Sequence, residues 1–411
     1  MRNCILAASL IAGALVGHTT AIAQTATFRF INENAAGAND MSPDGRWVVG
    51  TIAPLPACES IGGYLYDTVN DVFTVLPPPA IDAVSVSDDG TVIVGNMPDP
   101  DTGDTVAAIW RASTNEWESL GFLPNADACP SRSTGYEVSG DGATVVGLSW
   151  EGCSGRGFIW TEAEGMRELQ ALANGSNRAS VVSYDGSIIG GFAQGSFSRT
   201  PTMWNSTLAG QLLDPPNGDV VGEVRGMTDD GSVLLASGTV DENAPAARAV
   251  KWTEENGFEV IGNGSVFSAW AGNPEDIAAD GTVVGFDSFL GSRQAWIQPG
   301  GEGNLVALKN YATDLGAEFP AGLQIEVAQA ISNDGSIIIG HGRCTGAWII
   351  EIENSPECSA DLNDDGIVDG ADLASLLAAW GSTNNPADLN GDGVVDGADL
   401  ATLLSLWNAS C

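Results

Sequence analysis

Positive charge is scarce in this chain of 411 residues. Fifteen Lys and Arg stand against 53 Asp and Glu, which gives a formal net charge of −38. A field of this sign repels polyanions, so we expect no nucleic-acid partner. Histidine is scarcer still, with His18 and His341 the only two in the sequence. This leaves little for catalysis or metal binding through imidazole.

Long apolar runs are also missing. Arg2 precedes an apolar run from Ile5 to Val16 that is too short to span a bilayer, and Ala21-Ile22-Ala23 supplies small residues for cleavage. We therefore predict a signal peptide at residues 1–23, a secreted, extracellular protein and no membrane span. The alternatives are a membrane anchor or a first core helix, and the polar, acidic-leaning chain that follows argues against both.

The cysteines fit an exported protein. Cys4 leaves with the signal peptide, and six remain: Cys58, Cys129, Cys153, Cys344, Cys358 and Cys411. An even number in an exported chain predicts three disulfides, with unpaired buried thiols as the alternative. Six cysteines allow fifteen pairings.

An Asp-Gly pair recurs seven times, with Asp residues 44 to 54 positions apart: Asp44, Asp89, Asp141, Asp185, Asp230, Asp280 and Asp334. An apolar residue stands three positions before each Asp, and six of the seven have Ser or Thr two positions before. A short β-branched run follows each Gly and usually ends in another glycine, as in Val145-Val146-Gly147. This pattern predicts hairpins with type I′ turns, so we interpret the Asp residues as turn formers rather than ligands or catalytic groups.

Each repeat contains a later apolar strand that often ends in Trp, as in Phe158-Ile159-Trp160, and most repeats have a fourth strand. Seven units of this kind predict a mostly β fold, a seven-bladed β-propeller over residues 24–352 that we expect to be monomeric. The seventh unit lacks its fourth strand, and the orphan strand Thr27–Ile31 can complete it and close the ring. A solenoid is the rival, but it would need polar caps, and none is visible.

The repeats resemble the probable extracellular repeats of HAF type, with Ser-x-Asp-Gly, Val-Val-Gly and Ala-Phe-x-Trp over about residues 36–350. This resemblance implies no established activity. Sialidase Asp boxes are different, because they carry a residue between Asp and Gly.

A duplicated acidic loop follows the linker at 353–357. Its spacing is that of an EF-hand calcium loop, with oxygen side chains at positions 1, 3, 5, 9 and 12, glycine at 6 and a backbone carbonyl at 7. The alternative is a pair of solvated acidic loops. The expected ligands of two Ca²⁺ ions are Asp361, Asn363, Asp365, Ile367, Asp369 and Asp372 in the first loop, and Asp388, Asn390, Asp392, Val394, Asp396 and Asp399 in the second.

One amphipathic helix should follow each loop, with Leu373, Leu376, Leu377 and Trp380 in one copy and Leu400, Leu403, Leu404 and Trp407 in the other. Residues 358–411 therefore resemble a dockerin of GC type, bracketed by Cys358 and Cys411. The resemblance implies docking to a cohesin-like receptor on a scaffold or cell surface. Many cellulosomal dockerins have a Ser-Thr pair where this chain has Gly370-Ala371 and Gly397-Ala398.

The repeat organisation suggests one set of pairings. Cys358 with Cys411 would join the two ends of the small module. Cys129 and Cys153 are both expected in loops of the third blade on one face. Cys58 and Cys344 follow equivalent strands of the first and last blades, which are neighbours only in a closed ring.

The function stays open between two classes. No Gly-x-Ser-x-Gly, His-Glu-x-x-His or phosphate-loop motif is present, so no catalytic residue is assigned. We interpret His341 as a loop or channel-mouth residue without function. The first hypothesis is a non-catalytic propeller that binds a protein, a glycan or a small ligand. The alternative is a polysaccharide-degrading hydrolase or lyase with paired carboxylates at the channel mouth.

Overall fold

The computed structural model divides the chain into two compact units. Thr25–Glu353 form one unit, and the described residues from Asn354 onward belong to the other. The structure describes residues 24–407 except 54–59, 125–130, 152, 196–197, 214–221, 239–246, 268–269, 344, 355–359, 364, 366, 384 and 391. No helix within these described ranges is long and apolar enough to cross a membrane.

The first unit is a ring of seven four-stranded antiparallel sheets, the blades. The N-terminal strand is β1 (Gln24–Phe30). Blades 1 to 3 comprise β2 (Ala35–Met41), β3 (Trp47–Ile52), β4 (Gly62–Asp67) and β5 (Val72–Val75); β6 (Asp82–Val86), β7 (Val92–Pro98), β8 (Thr105–Arg111) and β9 (Glu116–Gly121); and β10 (Ser133–Val138), β11 (Thr144–Glu151), β12 (Ser154–Thr161) and β13 (Gly165–Glu168).

Blades 4 to 6 repeat this plan, and blade 7 supplies three further strands. They comprise β14 (Asn177–Val182), β15 (Ile188–Gln194), β16 (Arg199–Asn205) and β17 (Gly210–Leu212); β18 (Gly222–Met227), β19 (Leu234–Gly238), β20 (Arg248–Thr253) and β21 (Gly257–Val260); β22 (Ala271–Ile277), β23 (Val283–Phe289), β24 (Ser292–Gln298) and β25 (Val306–Ala307); and β26 (Val327–Ile331), β27 (Ile337–Gly342) and β28 (Gly346–Asn354).

The N-terminal strand closes the ring. The last sheet has the order β1-β28-β27-β26, and the Ile31 N–H donates to the carbonyl of Ala347 at 3.0 Å. Blade 7 also packs on blade 1, because Ile339 lies in the same apolar cluster as Met41 and Val48. The predicted seven-bladed propeller and its completion by the N-terminal strand are therefore confirmed, and the solenoid is excluded.

The β-branched runs are continuous because both faces of each blade are covered. Val145 packs with residues of blade 2, including Val94. Its neighbour Val146 packs with residues of blade 4, including Ile189. Successive side chains of a strand point to opposite faces. The second strand of each blade therefore buries alternate side chains against the blade before it and the blade after it.

The glycine that ends each β-branched run lies inside the second strand of its blade, where neighbouring atoms leave no room for a side chain. At Gly147, a Cβ would lie 2.2 Å from the carbonyl oxygen of Thr134 and 2.7 Å from the ring of Phe158. At Gly340 the same atom would meet the carbonyl of Val327 at 2.0 Å. Any side chain would separate this strand from the innermost strand of its blade.

The Asp-Gly turns differ from the expected type I′. Positive φ occurs at the glycine, as at Gly142 (71°), and not at the aspartate. The Gly142 N–H donates to the carbonyl of Ser139. The Ser139 hydroxyl donates to Asp141 Oδ1 and accepts from the Thr144 N–H. The type I′ prediction is wrong because the strands are joined by a four-residue loop between Ser139 and Thr144. The Ser and Asp side chains form hydrogen bonds within this loop. The role of Asp as a turn former is confirmed, since all seven accept from the N–H two residues on.

Three short helices and a 3₁₀ turn are described beside the strands. The helix α1 (Leu308–Asp314) follows β25 in blade 6 and was not predicted, and Pro299–Gly301 form the 3₁₀ turn. In the second unit, α2 (Gly370–Ala378) and α3 (Gly397–Ser405) follow the two acidic loops.

Candidate binding channel and C-terminal loops

A β-bulge in the innermost strand of every blade creates the channel wall. In each of the seven strands the register skips the residue five positions before the turn Asp, and β2 has a further skip at Ala36. A bulge leaves its extra residue unpaired and redirects its side chain. The seven residues at this shared position all line one cavity of about 340 Å³ at the centre of the propeller. They are Asn39, Val84, Tyr136, Ser180, Arg225, Glu275 and Gln329.

The residue after the bulge links neighbouring blades in four cases. Asp40 Oδ2 accepts from the Val86 N–H at 2.9 Å, and Asp276 Oδ2 accepts from the Ile331 N–H at 2.8 Å. Ser85 and Glu137 accept from the equivalent N–H of the next blade. The other oxygen of Asp40 and of Asp276 accepts from the N–H group of the following residue. Each of these carboxylates therefore hydrogen-bonds both to its own strand and to the next blade.

Burial dominates the titration of these wall carboxylates. It raises the pKa of Asp40 to about 6 and that of Asp276 to about 7, against the favourable backbone hydrogen bonds. The pKa of Glu137 is raised well above its ordinary value, first by burial and then by the charge of Asp40. A deep, poorly solvated carboxylate favours its neutral form.

The turns form the acidic end of the channel. Backbone hydrogen bonds join adjacent turns, as from the Asp88 N–H to the Gly140 carbonyl. Asn333 Nδ2 reaches from blade 7 to Asp229 Oδ2 in blade 5 at 2.7 Å. Burial, followed by the charge of Asp229, raises the pKa of Asp88 to about 6.

The opposite end carries four arginines. First and third strands of a blade both start on the face opposite the turns, because neighbouring strands are antiparallel. Arg178 and Arg225 lie in first strands, while Arg199 and Arg293 lie at the start of third strands. With Glu223 and Glu275 they form a cluster that we call the arginine mouth.

Ion pairs and aromatic rings order the arginine mouth. Glu223 accepts from Arg178, Arg199 and Arg225 at 2.7, 3.0 and 3.1 Å. Arg225 Nε also donates to Glu275 at 2.9 Å. Two rings each lie beneath two guanidinium groups. Phe192 lies 5.1 Å from Arg178 and 4.2 Å from Arg199, and Phe286 lies 5.8 Å from Arg225 and 5.2 Å from Arg293.

His341 lies inside β27 rather than in a loop. Its Nδ1–H donates to the Ala38 carbonyl of blade 1 at 3.1 Å. Burial lowers the pKa of this imidazole. The side chain therefore serves as a neutral contact across the ring seam.

In the second unit, the last aspartate of each loop organises the loop and its helix. Asp372 Oδ1 accepts from the Leu362 and Asn363 N–H groups, and Oδ2 accepts from Asp369 N–H in a capping box. Asp399 repeats these three bonds in the second copy. Both side chains are fully buried. Position 12 thus ties the start of each loop to the start of its helix.

In each loop, the side chains at positions 3 and 5 form a hydrogen bond with each other. Asn363 Nδ2 donates to Asp365 Oδ2, and Asn390 Nδ2 donates to Asp392 Oδ2. Asp388 Oδ1 is buried and has no hydrogen-bond partner. A group of three His, Cys, Asp or Glu side chains able to hold a metal is not found among the described residues. The calcium ligands therefore stay a prediction, with one orphaned carboxylate oxygen that a cation would satisfy.

Of the six cysteines from Cys58 onward, Cys153 lies within the described chain, where it is disulfide-bonded. Its expected partner Cys129 and the other four lie outside the described residues, as do residues 1–23. The three pairings and the signal peptide therefore stay predictions.

Solved structures with a similar fold include two oligogalacturonate lyases. The enzyme from Vibrio parahaemolyticus aligns with a TM-score of 0.53 at 11% identity over 81% of this chain and 98% of that chain. A lyase in complex with manganese aligns with a TM-score of 0.53 at 13% identity over 82% and 92%. The shared feature is the propeller fold.

A weaker similarity is to TolB from Acinetobacter baumannii, with a TM-score of 0.39 and 14% identity. It covers 57% of this chain and 62% of TolB, which is less than two thirds of that protein's length. No family model matches the sequence, and no curated protein matches it.

Proposed function

We propose that this chain is a secreted, non-catalytic binding protein. Its propeller of HAF-type repeats takes a ligand, and a calcium-dependent dockerin module displays the protein on a cohesin-like receptor at a scaffold or cell surface. The observation that carries the proposal is a duplicated apolar surface in the second unit. Leu377 and Trp380 are 52% and 48% exposed, and Leu404 and Trp407 repeat them at 52% and 39%.

These four side chains are not part of the hydrophobic core of the second unit. Leu376 and Leu403 are fully buried and pack with Val368 and Val395, so part of each predicted apolar stripe is used internally. The remaining Leu and Trp lie on α2 or directly after it, and in the same positions relative to α3. Exposed large apolar side chains in matched positions are typical of a protein–protein docking surface.

Calcium is the ion that the loops fit. Residues 358–411 contain nine Asp and no Lys or Arg, so the loop carboxylates repel one another unless a cation is bound. The buried, partnerless Asp388 Oδ1 occupies position 1 of the second loop. When bound, Ca²⁺ would supply positive charge to an oxygen shell from Asp388, Asn390, Asp392 and their counterparts in the first loop.

The channel supports binding more than catalysis. Both oxygens of Asp40 and of Asp276 accept backbone N–H groups. A general acid or base must reach a substrate proton, and these oxygens are instead committed to joining blades.

A polysaccharide-degrading enzyme is the second candidate, and the raised pKa values of the wall carboxylates favour it. Asp276, with a pKa of about 7, could hold a proton near neutral pH as a general acid does. Release of reducing ends or unsaturated products from a polysaccharide panel, with loss of that activity in Asp276→Asn, would establish the enzyme. Absence of turnover together with ligand binding supports the first proposal.

Display is tested on cells of the producing organism. We expect the tagged full-length protein to stay cell-associated in calcium and to be released by EDTA. Trp380→Ser with Trp407→Ser should lower the retained fraction about tenfold or more, because both docking surfaces lose their largest side chain. Tyr184→Ser is the control, since Tyr184 is an exposed aromatic of the propeller. Equal retention of wild type and the double variant would refute the display role.

A further inference from the structure

The arginine mouth concentrates the scarce cations of this protein. The sequence has 15 Lys and Arg against 53 Asp and Glu, yet four arginines surround two glutamates at one end of the channel. Within this cluster of described residues, two positive charges exceed the carboxylates. A structural ion-pair network in so acidic a chain would need no surplus of cations, because carboxylates are abundant.

The surplus charges are exposed and held in place. Arg199 has 49% of its side chain exposed, and Arg293 is exposed as well. Each stacks on a phenylalanine, Phe192 or Phe286. Arg178 and Arg225 are more buried, with 20% and 26% exposure. Arg199 donates to Glu223 through Nη1, and stacking leaves the other N–H groups of the guanidinium available to a ligand, with little entropy lost when it binds.

Exposed aromatic rings occur on the same face. The β23–β24 hairpin carries Phe289 and Leu290 at its tip, only a few residues from Arg293. Phe289 is 44% exposed and lies 6.2 Å from Trp270, which contacts Phe267 at 4.9 Å. Leu290 is 90% exposed with a φ of 47°. Leu290 and Gly291, with positive φ at both positions, form the two-residue turn of the hairpin and present the Leu290 side chain to solvent.

We propose that the arginine mouth binds an acidic glycan. Its carboxylate or sulfate groups would accept hydrogen bonds from Arg199 and Arg293, and a sugar face would lie against the rings near Phe289. The shared chemistry is an oxyanion on a saccharide. The inference rests on the proposed binding role of the propeller and assigns its ligand class. The acidic remainder of the protein would repel long polyanions elsewhere, so binding should be local to this face.

The test is affinity electrophoresis of the full-length protein in gels that contain dextran, carboxymethyl-dextran or dextran sulfate. The three polymers share one backbone. Dextran carries no acid group, carboxymethyl-dextran carries carboxylates and dextran sulfate carries sulfates, so comparison of the gels distinguishes carboxylate recognition from sulfate recognition. EDTA in the gel prevents calcium bridges and keeps the display module out of the measurement. Failure here is therefore separate from failure of the calcium-dependent display.

We expect at least one acidic dextran to retard the wild type, and neutral dextran to leave it unretarded. Arg199→Gln with Arg293→Gln should raise the half-retarding polymer concentration about tenfold. The matched control is Arg46→Gln with Arg111→Gln, which removes the same charge at the turn face. Retardation by no acidic dextran, equal loss in the control, or unchanged retardation of the Arg199/Arg293 variant would each overturn the proposal.

Discussion

Arg29 and Glu351 join the first and the last strand of the propeller. Arg29 Nη2 lies 2.8 Å from Glu351 Oε1, although the two residues are 322 positions apart. Arg29 Nη1 also donates to the hydroxyl of Tyr66 in blade 1 at 2.7 Å. One side chain therefore contacts both blades at the seam where the ring closes.

The N-terminal strand should stabilise the ring far more than this ion pair does. Deletion of residues 24–32 exposes an edge of β28 and removes the buried Ala26 and Ile31. We expect a fall of 10 °C or more in the melting temperature, on the order of a few kcal/mol. Arg29→Gln should cost about 0–1 kcal/mol, because the pair is half-exposed. Calorimetry that found equal effects would contradict this account.

The predicted Cys58–Cys344 disulfide would join the first and last blades, the same pair that the N-terminal strand holds together. If it forms, Cys58→Ser combined with the strand deletion should lower the melting temperature more than either change alone. Peptide mapping of the unreduced protein gives an independent measurement. A linkage of Cys58 to any cysteine other than Cys344 would disprove the pairing.

The buried wall carboxylates should make the propeller less stable as pH rises. Asp40 and Asp276 stay protonated in the folded protein to about pH 6 and 7, but in the unfolded chain only to about pH 4. The folded state binds more protons in this window, so the free energy of unfolding falls between about pH 4 and 7 and levels off above. The contribution is on the order of 3 kcal/mol for Asp40 and 4 kcal/mol for Asp276.

Urea unfolding in EDTA across this pH range measures the effect. Asp276→Asn keeps an oxygen acceptor for the Ile331 N–H and cannot titrate, so its pH slope should be shallower than that of the wild type. Asp101→Asn, in an exposed loop, is the matched control and should keep the full slope. An unchanged slope in Asp276→Asn would show that this carboxyl is already ionised at low pH.

The turn serines should matter as buried donors and acceptors. Ser139 is fully buried, and its hydroxyl bonds to both Asp141 and Thr144 N–H. Ser139→Ala should cost about 1–2 kcal/mol in the free energy of unfolding. Ser206→Ala removes an exposed hydroxyl and should be neutral. Equal urea midpoints for the two variants would rule out a structural role for the hydroxyl pair.

Local repeats made the blades predictable, because each Asp-Gly unit contains a complete strand pair. The turn geometry does not follow from the Asp-Gly pair alone, because the Ser139 hydroxyl and its equivalents bond to the Asp side chain and to a strand N–H. Ala278, the exception to that pattern, lies where the Thr282 hydroxyl bonds to Asp280 instead. The helix α1 could not be predicted from the repeats, because the described residues of the other blades contain no counterpart of it.

The arginine mouth could not be predicted from the sequence. Arg178, Arg199, Arg225 and Arg293 come from three blades, and only ring closure and the strand bulges bring them together. The carboxylates that join blades were equally hidden, since Asp40 and Asp276 do not occupy a position that is acidic in every repeat. The calcium loops stay a prediction, and they could be proposed from the sequence because the expected ligands of each loop lie within twelve residues of one another.

Calcium titration of the full-length protein by calorimetry tests the proposed function most directly. The wild type should bind two Ca²⁺ ions, with an increase in helical circular dichroism from α2 and α3 and an unchanged propeller transition. Asp361→Ala with Asp388→Ala should abolish both responses, while Asp101→Asn should leave them intact. Binding of two ions by the Asp361/Asp388 variant with unchanged affinity would contradict the assignment of these loops and, with it, the calcium-dependent display.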